Sequence, residues 1–188
     1  MSVEEKFETY KYQLIDILSE EVVSKLFESL GGEERIKNGV FGNTVETGVA
    51  YDGSLVACSL AIVNYARQIN QMLPSSKRAA DNSIVKVALL SHIAKAVMFT
   101  ENDNSWEKTN RGILYKFESL DGALRCGERS ILLAMNAGVR FTEDEFEAMR
   151  IMDKSGDDDN YTKYYSSALS MVIRQANEII TLIKHIKK

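Results

Sequence analysis

Nine side chains in this sequence pair a reactive or charged end with a defined local setting. They are Cys58 in YDGSLVACSL, Ser91, His92 and Lys95 in ALLSHIAKA, Cys126, Glu128 and Arg129 in LRCGERSILL, and Arg150 and Asp153 in TEDEFEAMRIMD. Cys58, His92, Cys126 and Asp153 are ligand-competent, and cysteine and histidine with one carboxylate suit tetrahedral zinc. The plainer reading of each thiol is a small buried filler, because free cysteine is among the most buried residue types. A Cys58–Cys126 disulfide is the third arrangement open to them. Lys95, Arg129 and Arg150, with Arg125 and Arg174, are phosphate-binding types, the guanidinium fork pairing bidentately with phosphate oxygens. Singly, each also reads as an ordinary solvated or ion-paired residue. Trp106, Tyr115 and Phe117 have faces on which a nucleobase could stack, although such alternation is more often packing. The DDD run at 157–159 reads as a solvated loop and His185 as a surface residue. Phosphate-loop, nucleophile-elbow and Cys-x-x-Cys patterns do not occur in the sequence, which removes support for the common routes to NTP hydrolysis, acyl transfer and zinc ribbons.

The elements that must position these residues are mostly helices. Tyr10, Leu14, Ile17 and Leu18, continued by Val22, Val23, Leu26, Phe27 and Leu30, form an apolar stripe that ends at Gly31-Gly32, predicting two short helices or one kinked helix. Residues 33–52 read as irregular chain. A helix should begin near Gly53 and stop before Pro74, the single proline, since proline restricts the residue ahead of it. A very apolar helix from Ile84 to Phe99, capped by Asn82 or Ser83, should sit at the centre. The stretch 104–118 predicts a short β-hairpin. Gly122 to Ala137 predicts a helix with Leu124, Ile131, Leu132 and Met135 inward, closed by Gly138. Thr142 with Glu145 forms a capping box for 143–152, and 164–187 is the closing helix.

At 188 residues and 45% hydrophobic content the chain fits one domain with a sizeable core. Its 23 basic and 27 acidic residues give a net charge of −4, which offers no general attraction to nucleic acid or to an anionic membrane. No apolar run is long enough to span a bilayer, and the acidic start MSVEEKFETY is unlike a signal peptide. Two cysteines suit a reduced compartment. The expectation is a single cytoplasmic domain, 1–188, whose first 45 residues are a helical extension.

The four segments, in order and spacing, resemble the compact HD-domain phosphohydrolases of bacteriophages and bacteria. That family carries Y-x-G-x-L-x-x-H-S, L-L-H-D-x-x-K, G-H-G-E-K-S and A-I-R-W-H-M motifs and a closing aspartate on the last helix. Here Tyr51, Gly53, Leu55 and Ser59 flank Cys58, Leu89, Leu90 and Lys95 flank Ser91-His92, and Leu124, Gly127, Glu128 and Ser130 flank Cys126. The family's metal-binding positions are thus held by Cys58, Ser91 with His92, Cys126, Met152 and Asn177. The resemblance implies a mainly α HD-like bundle with one small β-hairpin, its segments converging on one pocket. The exchanged residues imply that the metal-activated water of the family's hydrolysis is lost. The implied function is that of a catalytically inactive HD protein without a metal or cofactor. It would retain a nucleotide-like ligand at Cys58, Ser91, His92, Lys95, Cys126, Glu128, Arg129, Arg150 and Asp153. A phage protein of this kind would sequester a host immune nucleotide signal and would be a homo-oligomer. Two other readings stand beside it: a structural or interaction protein that uses the scaffold without a ligand, and a residual phosphohydrolase with a rewired metal site.

Overall fold

The computed structural model describes residues 1–118, 124–152 and 167–182. They form a mainly α-helical structure with one small antiparallel sheet. Helices α1 (Val3–Leu18) and α2 (Glu20–Ser29) lead into the short α3 (Glu33–Lys37), α4 (Ser54–Met72) and α5 (Asp81–Leu90). Then come α6 (Lys95–Met98), β1 (Phe99–Glu101), α7 (Ser105–Arg111) and β2 (Tyr115–Phe117), followed by α8 (Cys126–Asn136), α9 (Glu143–Ile151) and α10 (Ala168–Leu182). Among the described residues no helix is long and apolar enough to cross a membrane.

Helix α5 occupies the centre. It touches α1, α4, α8, α9 and α10, and Ile84, Val85, Val87, Ala88, Leu89 and Leu90 are all buried. A short helix that is apolar on nearly every side must be enclosed in this way. It ends sooner than its composition predicts, and neither Asn82 nor Ser83 caps it: Ala80 holds the N-cap position, and the Ser83 hydroxyl is donated to Glu145 instead. After Leu90 the hydrogen bonds tighten, with Ile93 N–H donating to Leu90 and Lys95 N–H to His92. Two groups freed by this change find side-chain partners: the Tyr10 hydroxyl donates to the Leu89 carbonyl at 2.8 Å, and Ala94 N–H donates to Ser130 Oγ at 3.1 Å. The chain then enters β1 rather than continuing as helix to Phe99.

The hairpin also differs from its expectation. β1 pairs with β2 in the register Phe99↔Phe117, Thr100↔Lys116, Glu101↔Tyr115, so the first strand lies before residue 104. Between the strands, Asn104 Oδ1 accepts the N–H groups of Trp106 and Glu107 and Gly112 stops the turn at φ 61°, making α7 a helix that leaves Trp106 exposed.

Helix α8 starts at Cys126, and its buried side is Gly127, Ser130, Ile131 and Ala134. Leu132 and Met135 are 46% and 53% exposed and Leu124 precedes the helix, which corrects the expected inward set except for Ile131. The small residues recur at helical spacing and allow a close helix approach, so bulk alone was the wrong guide. Gly138, at φ 102°, ends this helix as expected. The capping box is present too: Thr142 Oγ1 accepts Glu145 N–H, and Glu145 accepts Thr142 N–H.

Glu145 is itself buried and accepts hydrogen bonds from Ser83 Oγ at 2.8 Å and Lys86 Nζ at 2.9 Å, tying α9 to α5. Removing the cation leaves a carboxylate sealed from water. Lys86→Met should therefore lower stability by about 3 kcal/mol, and Glu145→Gln by less, as read from urea unfolding midpoints.

At Ser19, between α1 and α2, the backbone has φ 125° and ψ 156°, a region that L side chains avoid at a cost of about 1–3 kcal/mol. The Ser19 hydroxyl offers only a long 3.5 Å cap to Val22 N–H. Ser19→Gly should raise stability by roughly 0.5–1.5 kcal/mol after the unfolded-state entropy of glycine is subtracted. Ser19→Ala, which keeps the strain and removes the cap, should lower it. Thermal unfolding of the two variants checks the opposite signs.

Candidate functional site

Ser91 and His92 occupy the tightened turn after α5 and are fully buried. Ser91 Oγ donates to the Ala88 carbonyl at 3.4 Å and lies 3.3 Å from His92 Nδ1. The imidazole packs against the Phe41 ring, with centroids 4.5 Å apart at a 49° tilt. On Phe41, in turn, rests the Lys95 ammonium, 3.7 Å from the ring centroid, and Lys95 Nζ donates to the Phe41 carbonyl at 2.8 Å. A cation over an aromatic face is attracted by its quadrupole. Burial, and secondarily the Lys95 charge, pushes the His92 pKa well below 6.5, which keeps the ring neutral.

Phe41 comes from the irregular stretch before α4. Its N–H donates to Ser54 Oγ at 2.9 Å, and the same hydroxyl donates to Val49 O at 2.6 Å. Leu55 N–H donates to Gly39 O at 3.0 Å. The first residues of α4 thus hold the loop that presents Phe41. Nothing in the local sequence marks this phenylalanine, whose setting of glycine and asparagine reads only as loop.

The remaining predicted residues lie in varied surroundings. Cys58 is buried in α4 and Cys126 half-buried at the first turn of α8, and both are free thiols, so the disulfide is not formed. Tyr51, beside Cys58, has its phenol pushed up by burial and by that thiol. Glu128 accepts the Arg125 N–H at 3.0 Å and so secures the start of α8, with the half-buried Arg129 next to it. Met152 is buried at the end of α9. Arg150 is exposed and lines a groove of about 310 Å³ with Phe141, Phe146, Glu143 and Glu147. Lys95 lines another, of about 540 Å³. Arg174, buried on α10, donates to Glu178 at 2.7 Å, and Asn177 holds a buried Oδ1 that has no hydrogen-bond partner among the described residues. Asp153, the DDD run and His185 lie outside the described residues.

These donors do not fit the His and Asp metal centre that the resemblance implies for active members. Ser91 and Met152 are weak ligands, Asn177 is a neutral amide, and His92 stands packed against Phe41. Among the described residues no group of three or more His, Cys, Asp or Glu side chains is placed to hold a metal, so Cys58, His92 and Cys126 are not gathered into a zinc site. Sequence reasoning missed Phe41 and also Arg35, whose Nε donates to the Ala96 carbonyl at 2.9 Å and which shares the larger groove with Lys95. Comparison of the chain with family models, curated proteins and solved structures finds no match.

A buried neutral histidine has a signed consequence. Its folded pKa lies below its unfolded value, so the unfolded chain binds the extra proton first and stability falls as pH drops through about 6.5. Above that pH both states are neutral and the term vanishes. Urea unfolding between pH 7.5 and 5 should show this loss, up to about 1.4 kcal/mol per pH unit, and His92→Gln should flatten it across that window.

Proposed function

We propose that this chain is a catalytically inactive HD-like protein that binds and retains a nucleotide-like ligand. The observation that carries the reading is the open groove of about 540 Å³ bearing Lys95 and Arg35, beside the turn of Ser91-His92, which in this reading takes the place of the HD family's His-Asp pair. A cavity of a few hundred cubic ångströms with a small number of placed polar groups is the usual form of a small-molecule site. The inactive part of the proposal rests on chemistry. A neutral, buried imidazole can act at best as a general base, and the side chains identified here offer no second group to ionise a water at neutral pH. In a phage, retention without turnover would keep a host nucleotide signal from its receptor, and a homo-oligomer would multiply the sites.

A second reading, an interaction protein that uses the scaffold alone, draws support from Leu132 and Met135 on α8 and Phe146 on α9, all exposed large apolar side chains. Exposed apolar area of this kind marks partner surfaces when it is contiguous.

Mass spectrometry of the supernatant from heat-denatured protein, with calorimetry against cyclic dinucleotides, ADP-ribose derivatives and mononucleotides, separates these readings. Retention predicts an intact nucleotide in the extract and a heat of binding with at least one compound. No nucleotide and no heat across the panel would favour the interaction protein. Metal-dependent turnover that survives repurification and disappears in His92→Ala would establish a residual phosphohydrolase instead.

A further inference from the structure

We infer that the groove beside Lys95 holds a phosphorylated nucleoside, with its phosphate on Arg35 and its base against Phe99 and Tyr115; the inference rests on the ligand-retention reading above and assigns its site. Arg35 is the anchor. Its Nε–H is committed to the Ala96 carbonyl at 2.9 Å, and its Cδ passes so close to Gly31 that an added Cβ there would sit 3.0 Å away. The guanidinium is therefore oriented before any ligand arrives, while its two terminal nitrogens make no ion pair among the described residues. A fork fixed in this way loses little rotamer freedom on pairing with two phosphate oxygens.

Two carboxylates line the groove, Glu34 and Glu118; that of Glu34 is already engaged, by Lys37 Nζ at 2.5 Å and by Asn38 Nδ2 at 3.3 Å, which lessens its opposition to an anion. Phe99 and Tyr115, which line the same groove, come from the paired strands. Each ring has a contact that restrains it: Phe99 packs on Phe117 at 4.6 Å, and the Tyr115 hydroxyl donates to Asp52 Oδ1 at 2.8 Å. Fixed aromatic faces accept any base by stacking. An arginine fork and two flat apolar faces in one groove match a molecule that is anionic at one end and planar at the other. None of Arg35, Phe99 and Tyr115 belongs to the HD-like motif positions.

The test is calorimetric titration of the full chain with AMP, and with inorganic phosphate and adenosine as the two halves. AMP should bind, each half should bind more weakly, and phosphate should compete with AMP. Arg35→Gln should weaken AMP by about tenfold to a hundredfold, the range for a lost hydrogen-bonded charge contact. Thr100→Glu, which adds a carboxylate to the groove wall without touching Arg35, should weaken it as well. Both positions are partly or fully exposed, so unchanged thermal unfolding is the folding control. Arg140→Gln, at an exposed arginine outside every residue assigned to the ligand, should leave AMP affinity unaltered. Binding that ignores Arg35→Gln and Thr100→Glu but falls in Arg129→Gln or Arg150→Gln would overturn the groove and leave ligand retention standing. A panel compound that binds while AMP does not would overturn the assignment in the same way. Absence of heat with AMP and with every other nucleotide would sink the retention reading and this inference together.

Discussion

The enclosure of α5 and the abrupt change of hydrogen-bond register at its end govern most of what surrounds them. Inside an apolar core, a backbone carbonyl or N–H left without a partner costs about 1–3 kcal/mol, more than a hydrogen bond gains when it is made. Of the groups that the register change releases, the Tyr10 hydroxyl takes the Leu89 carbonyl and Ser130 Oγ takes the Ala94 N–H. The two contacts fix α1 on one side and α8 on another. Burial also pushes the Tyr10 phenol pKa upward, consistent with a hydroxyl that serves only as a neutral donor. The ion pair of Lys86 with Glu145 adds a third tie, to α9. Helix α5 is thus located by polar contacts at both ends and by shape along its length.

The same turn determines the character of the candidate site. It carries Ser91 and His92 into the core, where an imidazole is stable only when neutral, and it brings Lys95 out to the edge. Phe41 contacts both, its ring packing against the imidazole and carrying the ammonium 3.7 Å from its centroid. The polar groups that line the groove are two cations, an amide, two carboxylates and two hydroxyls, and the His92 imidazole is stacked on Phe41 instead.

The small sheet has a role out of proportion to its three-residue strands. β1 follows α6 directly, so the strand continues the path begun by the tightened turn. It sets Phe99 and Thr100 beside Lys95 and Ala96 in the groove lining. β2 returns across it after α7 and adds Tyr115, and the isolated bridge between Thr44 and Ile113 fastens the loop that also carries Phe41. Core turn, sheet and loop therefore position the groove together.

Much of the helical plan was legible in the sequence. Gly31-Gly32, Gly53, Pro74, Gly138 and the Thr142–Glu145 capping box are local signals, and each bounds a helix for a local steric or hydrogen-bonding reason. Periodicity located the buried faces of α1, α2 and α4 for the same reason. Where the outcome depended on contacts distant in sequence, local reading failed. The break after Leu90 needs Tyr10 and Ser130, 79 and 36 residues from their partners. The orientation of α8 follows from which side can approach its neighbours closely, and small residues allowed that where Leu132 and Met135 could not. The groups able to do chemistry were visible as residue types, but their surroundings were not: a sequence does not show that Phe41 will lie on His92, that Lys95 will bond its carbonyl, or that Arg35 will share a groove with Tyr115. The sequence alone determined where chain segments become helical, because that is decided within a few residues. Tertiary structure alone decided which side chains are sealed, which face a cavity and which charges stand together, because burial and electrostatic environment belong to the packed assembly and to no single segment.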